Sequence, residues 1–316
     1  MPDSAVPLES VFDRRARPRG LNFSTWAAPD SWPHRAFRWP EPAGRACGSI
    51  LFQSGRASFI EKEMEACDHW WRRGWHVEGF DWRGQGGSGR LTPDSPADDR
   101  ASFDPLIDDL AAYVADWRER TPGPHVLVAH SMGGHIGLRL MAEREVGFDA
   151  AVLVAPMLAL SRRPVPGWLQ RIVIRAALLA GLRHRAAWRE IQDDPRRQVR
   201  LTTDIERFLD IGWWKRADPM LDLGPPSWGW LAAAMEGERR IAADPLEQVR
   251  TPILFLAPAE DRLVDNAAIA AAAKRLPDAE LQLFSGAAHE LLREADRYRL
   301  PALAAIDAFL DARAPA

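Results

Sequence analysis

The stretch that most constrains this chain runs H-V-L-V-A-H-S-M-G-G-H-I-G-L-R-L-M-A-E over residues 125–143. An apolar, β-rich run ends at Ser131, two glycines follow within three residues, and a helical pattern opens at once. The order is strand, sharp turn, helix. A serine at the tip of such a turn projects its hydroxyl above the sheet, and close packing of strand on helix demands small residues two positions to either side. Ala129 and Gly133 supply them. The amides that begin a helix near Met132 point at the same place, where a helix N-terminus favours developing negative charge. Ser131 is therefore a candidate nucleophile. The plainer reading is a buried serine at a sheet-to-helix junction.

Elsewhere, short β-rich runs at 47–53, 76–81, 150–155, 252–257 and 280–284 alternate with helical patterns at 57–73, 104–118, 132–144, 266–275 and 297–311. Alternation of this kind predicts an α/β fold, a mostly parallel sheet with helices on both faces. It breaks once. Residues 161–250 show no strand pattern, only apolar helical runs, several prolines and six of the 14 tryptophans, and they read as an inserted helical lid. The expected division is a core of residues 1–160 and 251–316 with a lid, or cap, of residues 161–250. Within the lid, Leu169, Ile172, Ala176, Leu179 and Ala180 fall on one helical stripe beside Arg171 and Arg175. That stripe either packs on the core or offers a surface to acyl chains or to a membrane interface. The first 25 residues read as a polar lead-in.

Composition removes several function classes. The 316 residues are 47% hydrophobic, enough for one sizeable core and an appended lobe. A formal net charge of -3 gives no basic field to hold a phosphate backbone, so no nucleic-acid partner is expected. Cys47 and Cys67 are too few for a disulfide framework, and residues 1–20 carry charges and prolines in place of an apolar signal core. No apolar run approaches the roughly 20 residues that span a bilayer. The chain reads as cytoplasmic, with peripheral membrane contact through the lid as the one exception. Its wealth of alanine and arginine fits a GC-rich bacterial genome. No metal-ligand spacing occurs. Gly84, Gly86 and Gly89 satisfy G-x-G-x-x-G, but R-L-T-P-D-S-P-A-D-D follows instead of a helix, so no helix N-terminus is available for a pyrophosphate. No cofactor is expected.

Four segments together resemble the α/β-hydrolase superfamily, and more narrowly its lysophospholipase and monoacylglycerol lipase branch: A-H-S-M-G-G at 129–134, G-F-D-W-R-G-Q-G-G-S-G-R at 79–90, P-S-W-G-W-L at 226–231 and A-E-D-R-L-V-D-N at 259–266. The resemblance runs from Gly48 to the C-terminus, with Ala129 where the first glycine of G-x-S-x-G usually stands. It implies a serine hydrolase whose triad follows the chain order nucleophile, acid, base. Of the eight histidines only His289 lies beyond the last two strand runs, after the turn S-G-A-A, and it is the expected base. His130 and His135, flanking the turn, read as packed core histidines. Glu260, Asp261 and Asp265 all lie after the run at 252–257. The resemblance assigns Asp261 as the acid, while Asp265 stays open as the alternative and has a second use as the cap of the following helix. Glu260 reads as solvated.

The expected oxyanion donors are the amides of Met132 and of Arg56, the latter in a loop where Ser54-Gly55 replaces the His-Gly usual among relatives. The Arg56 side chain reads either as a surface arginine or as a reader of a polar head group. Asp81 and Arg83 are expected to tie loops together at the rim of the site. The implied activity is hydrolysis of a carboxylic ester through an acyl-enzyme, on a small-molecule ester or a single-chain lipid such as a lysophospholipid or monoacylglycerol. Two alternatives remain: a small-ester or amide hydrolase of aminopeptidase-like type, and a binding protein without activity on the same scaffold.

Overall fold

Runs that are apolar at every position have to be covered on both faces, and the strands they form sit in the middle of a sheet. A computed structural model, which describes residues 12–92, 98–144, 146–162, 164–189 and 195–315, shows how this chain uses its own. The strands are β1 (Asn22–Ala27), β2 (Pro33–Arg38), β3 (Gly48–Gln53), β4 (Trp75–Phe80), β5 (His125–His130), β6 (Ala150–Val154), β7 (Ile253–Pro258) and β8 (Ala279–Phe284). They form one sheet in the order β1-β2-β4-β3-β5-β6-β7-β8, parallel from β4 through β8. Each run read from the sequence falls within one residue of its strand.

Alternate residues of the central strands serve opposite layers. Ile50, Phe52, Val126 and Val128 meet α1 (Ile60–Arg72), whose Ile60, Met64, Cys67 and Trp70 recur every three or four residues. Leu51, Leu127 and Ala129 meet α2 (Asp104–Arg120) and α3 (Met132–Glu143) on the other face. Burying each such side chain is worth about 1.5–3 kcal/mol, so the two layers together fix the strand register.

Between β6 and β7 the described residues form α4 (Gly167–Leu179), α5 (Pro195–Leu201), α6 (Ile205–Ala217) and α7 (Trp228–Ala243), and no strand. This insertion straddles the sheet. Phe208, Ile211 and Trp214 of α6 join the layer of α1, while Trp230, Ala233 and Ile241 of α7 join that of α2 and α3. The chain closes with α8 (Asn266–Arg275) and α9 (Asp296–Arg313).

Two expectations are corrected. The lead-in over the first 25 residues gives way at Asn22 to β1, which pairs antiparallel with β2 and extends the sheet; residues 1–11 lie outside the described ones. Its burial alternates weakly because β1 is an edge, held chiefly by Trp26 against Phe80 and Tyr113. The stripe on α4 does not pack on the core: Leu169, Ile172 and Leu179 are 37%, 57% and 82% exposed, and Ile174 and Ala177 face inward instead.

Candidate active site

The turn after β5 puts Ser131 at φ 52°, ψ -114°, in the left-handed half of torsion space that side chains avoid. Three backbone hydrogen bonds hold it there. Its amide donates to the Val154 carbonyl at 2.9 Å, and its own carbonyl accepts from Met157 and His135 at 3.0 and 3.1 Å. The small residue at 133 is obligatory, since a Cβ on Gly133 would lie 2.7 Å from the carbonyl oxygens of Gln53 and Ser54. The loop after β3 comes just as close: a Cβ on Gly55 would meet Ser131 Cβ at 3.1 Å.

Ser131 Oγ donates to His289 Nε2 at 3.0 Å, and His289 Nδ1 donates to Asp261 Oδ2 at 2.8 Å. A carboxylate only accepts, so the imidazole proton sits on Nδ1 and Nε2 is free to receive the serine's. The second oxygen of Asp261 accepts from the amides of Leu263 and Val264 at 2.7 and 3.1 Å. Burial alone would raise the Asp261 carboxyl, but His289 and those amides outweigh it and hold the group below its ordinary value. The three residues read from the sequence are therefore brought together in one hydrogen-bonded line.

Asp265 stands apart from that line. It caps α8, accepting from the Ala267 amide at 3.0 Å, and pairs with Arg162 at 3.1 Å. Glu260, exposed as expected, accepts from the Gly286 amide at 3.1 Å. His130 and His135 are both buried, with burial pushing each down to about 3. His130 Nε2 donates to the His289 carbonyl at 3.3 Å, so it braces the loop that carries His289. His135 Nδ1 donates to the Met157 carbonyl at 2.8 Å behind the serine.

The His289 loop is also seamed to the insertion. The amides of His289 and Glu290 donate to the carbonyls of Arg200 and Leu201 at 3.1 and 2.8 Å, and Glu294 accepts from Thr203 and Ala288 amides. Glu290 itself is buried between Lys62 and Arg293. Burial would raise its carboxyl, but the two cations hold it well below the carboxylate range.

Met132 opens α3 and Arg56 follows Gly55, so the two segments named for oxyanion donation both lie against Ser131. The Arg56 side chain is no surface arginine. It pairs with Asp98 at 3.3 Å, donates to the Gly224 carbonyl at 2.5 Å and lies 5.4 Å over the Trp230 ring. Asp81 and Arg83 do tie loops together: Asp81 accepts from Arg35 and the amides of Ile60 and Gly87, and Arg83 bridges Asp109 and Asp30. Two neighbours in the same D-W-R-G-Q-G segment escaped the sequence reading. Gln85 donates to the Gly55 carbonyl at 3.2 Å and accepts from the Ala57 amide at 3.0 Å, while Trp82 Nε1 donates to the Ser54 carbonyl at 2.7 Å. Both fix the loop facing Ser131. The glycines around Gln85 were the only local signal.

Ser131 and His289 open into a cavity of about 790 Å³ walled by Met157, Leu160, Ile174, Trp230, Leu231 and Val264, among others. Val165, Val173 and Trp188 reach its mouth and are also exposed. Among the described residues no cluster of three or more His, Cys, Asp or Glu side chains is arranged to hold a metal, and no helix is long and apolar enough to cross a membrane.

Comparison with known proteins places the chain in a family. A family model described as serine aminopeptidase, S33, matches residues 44–296. Lysophospholipase L2 of Escherichia coli K12 is 30% identical over 280 residues, covering 83% of this chain and 80% of its own length. A probable lysophospholipase L2 of Haemophilus influenzae is 27% identical over 274 residues, covering 86% of each chain. In fold the chain is similar to a soluble variant of monoglyceride lipase from Saccharomyces cerevisiae, with a TM-score of 0.71 at 17% identity over 96% of this chain and 99% of that one. With most of its length inside the family model, this chain is a serine hydrolase of the α/β-hydrolase fold and belongs to the serine aminopeptidase S33 family.

Proposed function

We propose that the protein hydrolyses carboxylic esters of single-chain lipids, lysophospholipids or monoacylglycerols, through an acyl-enzyme on Ser131. The observation that carries the reading is the apolar cavity of about 790 Å³ opening onto Ser131 and His289. Residues 161–250 act as its cap, and the names of the lysophospholipase L2 relatives support the same substrate class.

In this mechanism His289 Nε2 takes the proton of Ser131 Oγ as the oxygen attacks the ester carbonyl. Asp261 keeps the imidazole in the required tautomer and stabilises the imidazolium. Amides of Met132 and Arg56 receive the negative charge on the carbonyl oxygen. The imidazolium then protonates the departing alkoxide, giving the free alcohol and acyl-Ser131. Water, deprotonated by the same histidine, attacks the acyl group and releases the fatty acid and free serine. The exposed apolar face of α4, with Trp168 62% exposed, rests on the lipid interface and delivers the substrate chain.

Each methylene buried in the cavity contributes about 0.8 kcal/mol, nearly fourfold per carbon, while room lasts. Catalytic efficiency is therefore expected to climb with acyl length. One panel tests this: nitrophenyl esters from acetate to palmitate, monoacylglycerols, lysophospholipids and aminoacyl amides, with Ser131→Ala as control. Long-chain lipids should be cleaved best and the control should lose about a thousandfold or more. A peak at acetate, or fastest turnover of aminoacyl amides, overturns the lipid reading.

A further inference from the structure

The loop that faces Ser131 is held from two directions. Ser54, Gly55 and Ala57 are pinned by Trp82 and Gln85, which belong to the core. Ala57 needs that support, because its φ of 55° is one that side chains avoid. Arg56, set among them, reaches into the insertion instead. Its guanidinium donates to the Gly224 carbonyl at 2.5 Å and lies 5.4 Å over the Trp230 ring, while Asp98 stands 3.3 Å from its Nε. Asp98 is stitched to the same segment: its amide donates to the Pro225 carbonyl at 3.2 Å, and its own carbonyl accepts from the Ser227 amide at 3.0 Å. Residues 224–227 lead into α7, and Pro226 and Trp230 line the cavity. The Arg56 side chain is only 16% exposed, so water competes little for these contacts.

We propose that the Arg56 side chain is a positioning residue that ties the cavity wall to the oxyanion loop, so that an acyl chain seated against Trp230 sets the Arg56 amide in place. The proposal rests on the acyl-site reading given above and on the oxyanion role of that amide. Arginine suits the task, since one planar fork meets a carboxylate, a carbonyl and an aromatic face at once, which the point charge of a lysine does not. A chain packed on Trp230 adds contacts to the segment that holds the guanidinium and narrows the positions that segment can take. Fork and amide belong to one residue, so the amide is narrowed with it. A misplacement of about 1 Å costs a catalytic contact about a hundredfold. Contacts made by the remote chain are thereby used in the transition state, and chain length acts on kcat as well as on KM.

The test measures kcat and KM separately for nitrophenyl butyrate and nitrophenyl octanoate, in the wild type, Arg56→Ala and Arg56→Lys. Acylation and deacylation both pass through an oxyanion, so kcat reports on its donors whichever half is slower. In the wild type, kcat should be about tenfold higher on octanoate than on butyrate. In Arg56→Ala that ratio should fall to about one, with kcat on octanoate down about a hundredfold. The ratio of the two KM values should stay as in the wild type, because the cavity keeps its wall. Arg56→Lys should restore part of the kcat ratio. Comparing two esters on one preparation cancels any loss of folded enzyme. An equal loss of kcat on both esters, or a wild-type kcat that ignores chain length while KM still improves with it, overturns the coupling and leaves Arg56 a support of the loop. A change confined to KM makes Arg56 a part of the cavity wall and overturns it too. If neither constant of the wild type improves with chain length, the acyl-site reading fails and this assignment falls with it.

Discussion

The helix behind the nucleophile and the first helix of the insertion differ in almost every respect. α3 buries ten of its twelve residues between sheet and neighbouring helices, whereas α4 buries two of thirteen and turns Ile172 and Leu179 to solvent. One region is fixed by contacts on all sides and carries groups that must stay within tenths of an ångström. The other keeps apolar surface uncovered at the mouth of the cavity. On the function proposed above, the chemistry and the choice of substrate rest on parts of the chain with opposite demands on burial.

The sharpest way to break that comparison lies in the acid loop of the core. Asp261→Asn should lower kcat by about a thousandfold or more, because an asparagine in place of the acceptor leaves the histidine in the wrong tautomer. Asp265→Asn, four residues on, should cost little, since asparagine also caps helices. Steady-state kinetics of the two purified variants decide it, and a reversed order would move the acid to Asp265.

A smaller effect is expected in the insertion. Ile172→Gln/Leu179→Gln should reduce hydrolysis of lipid presented in vesicles by about tenfold while leaving a soluble short-chain nitrophenyl ester almost untouched. Equal loss on both substrates would mean that α4 supports the fold and not the interface.

The smallest effect concerns the seam between the two regions. Asp244 follows α7, and burial, with Glu143 of α3 beside it, pushes its carboxyl from 3.8 up to about 6. The native state therefore keeps this proton at a pH where the unfolded chain has lost it. Its stabilising contribution is complete below about 4 and vanishes as pH rises through about 6. Asp244→Asn should raise Tm by about 1–2 °C at pH 7 and flatten the dependence between pH 5 and 7, as read by thermal melts. A lower Tm at pH 7 would show that the carboxylate is held favourably.

Much of this was legible because it is local. β6 and β7 are apolar throughout, β3 and β5 carry apolar runs at their centres, and all four declare themselves as central strands. Ser131 is marked by small residues at fixed offsets, and His289 by its place after the last strand. What stayed hidden depends on partners distant in sequence. The β1–β2 hairpin lacks the alternation of a two-sided strand, because its edge residues are half exposed. The stripe on α4 was visible, but periodicity cannot say whether the apolar side is wet. Gln85 braces a loop 28 and 30 residues away, a relation no spacing rule contains.

The torsion angles at Ser131 carry a last implication, and it concerns descent. Glycine adopts a φ of 52° without the penalty that any side chain incurs, so the fold itself would favour glycine at this position. A serine there stands against a thermodynamic pull, and the proposed role of Ser131 in turnover is what would oppose that pull. In a lineage that no longer needed the reaction, residue 131 would be among the first to drift, and the chain would become sturdier as it fell silent.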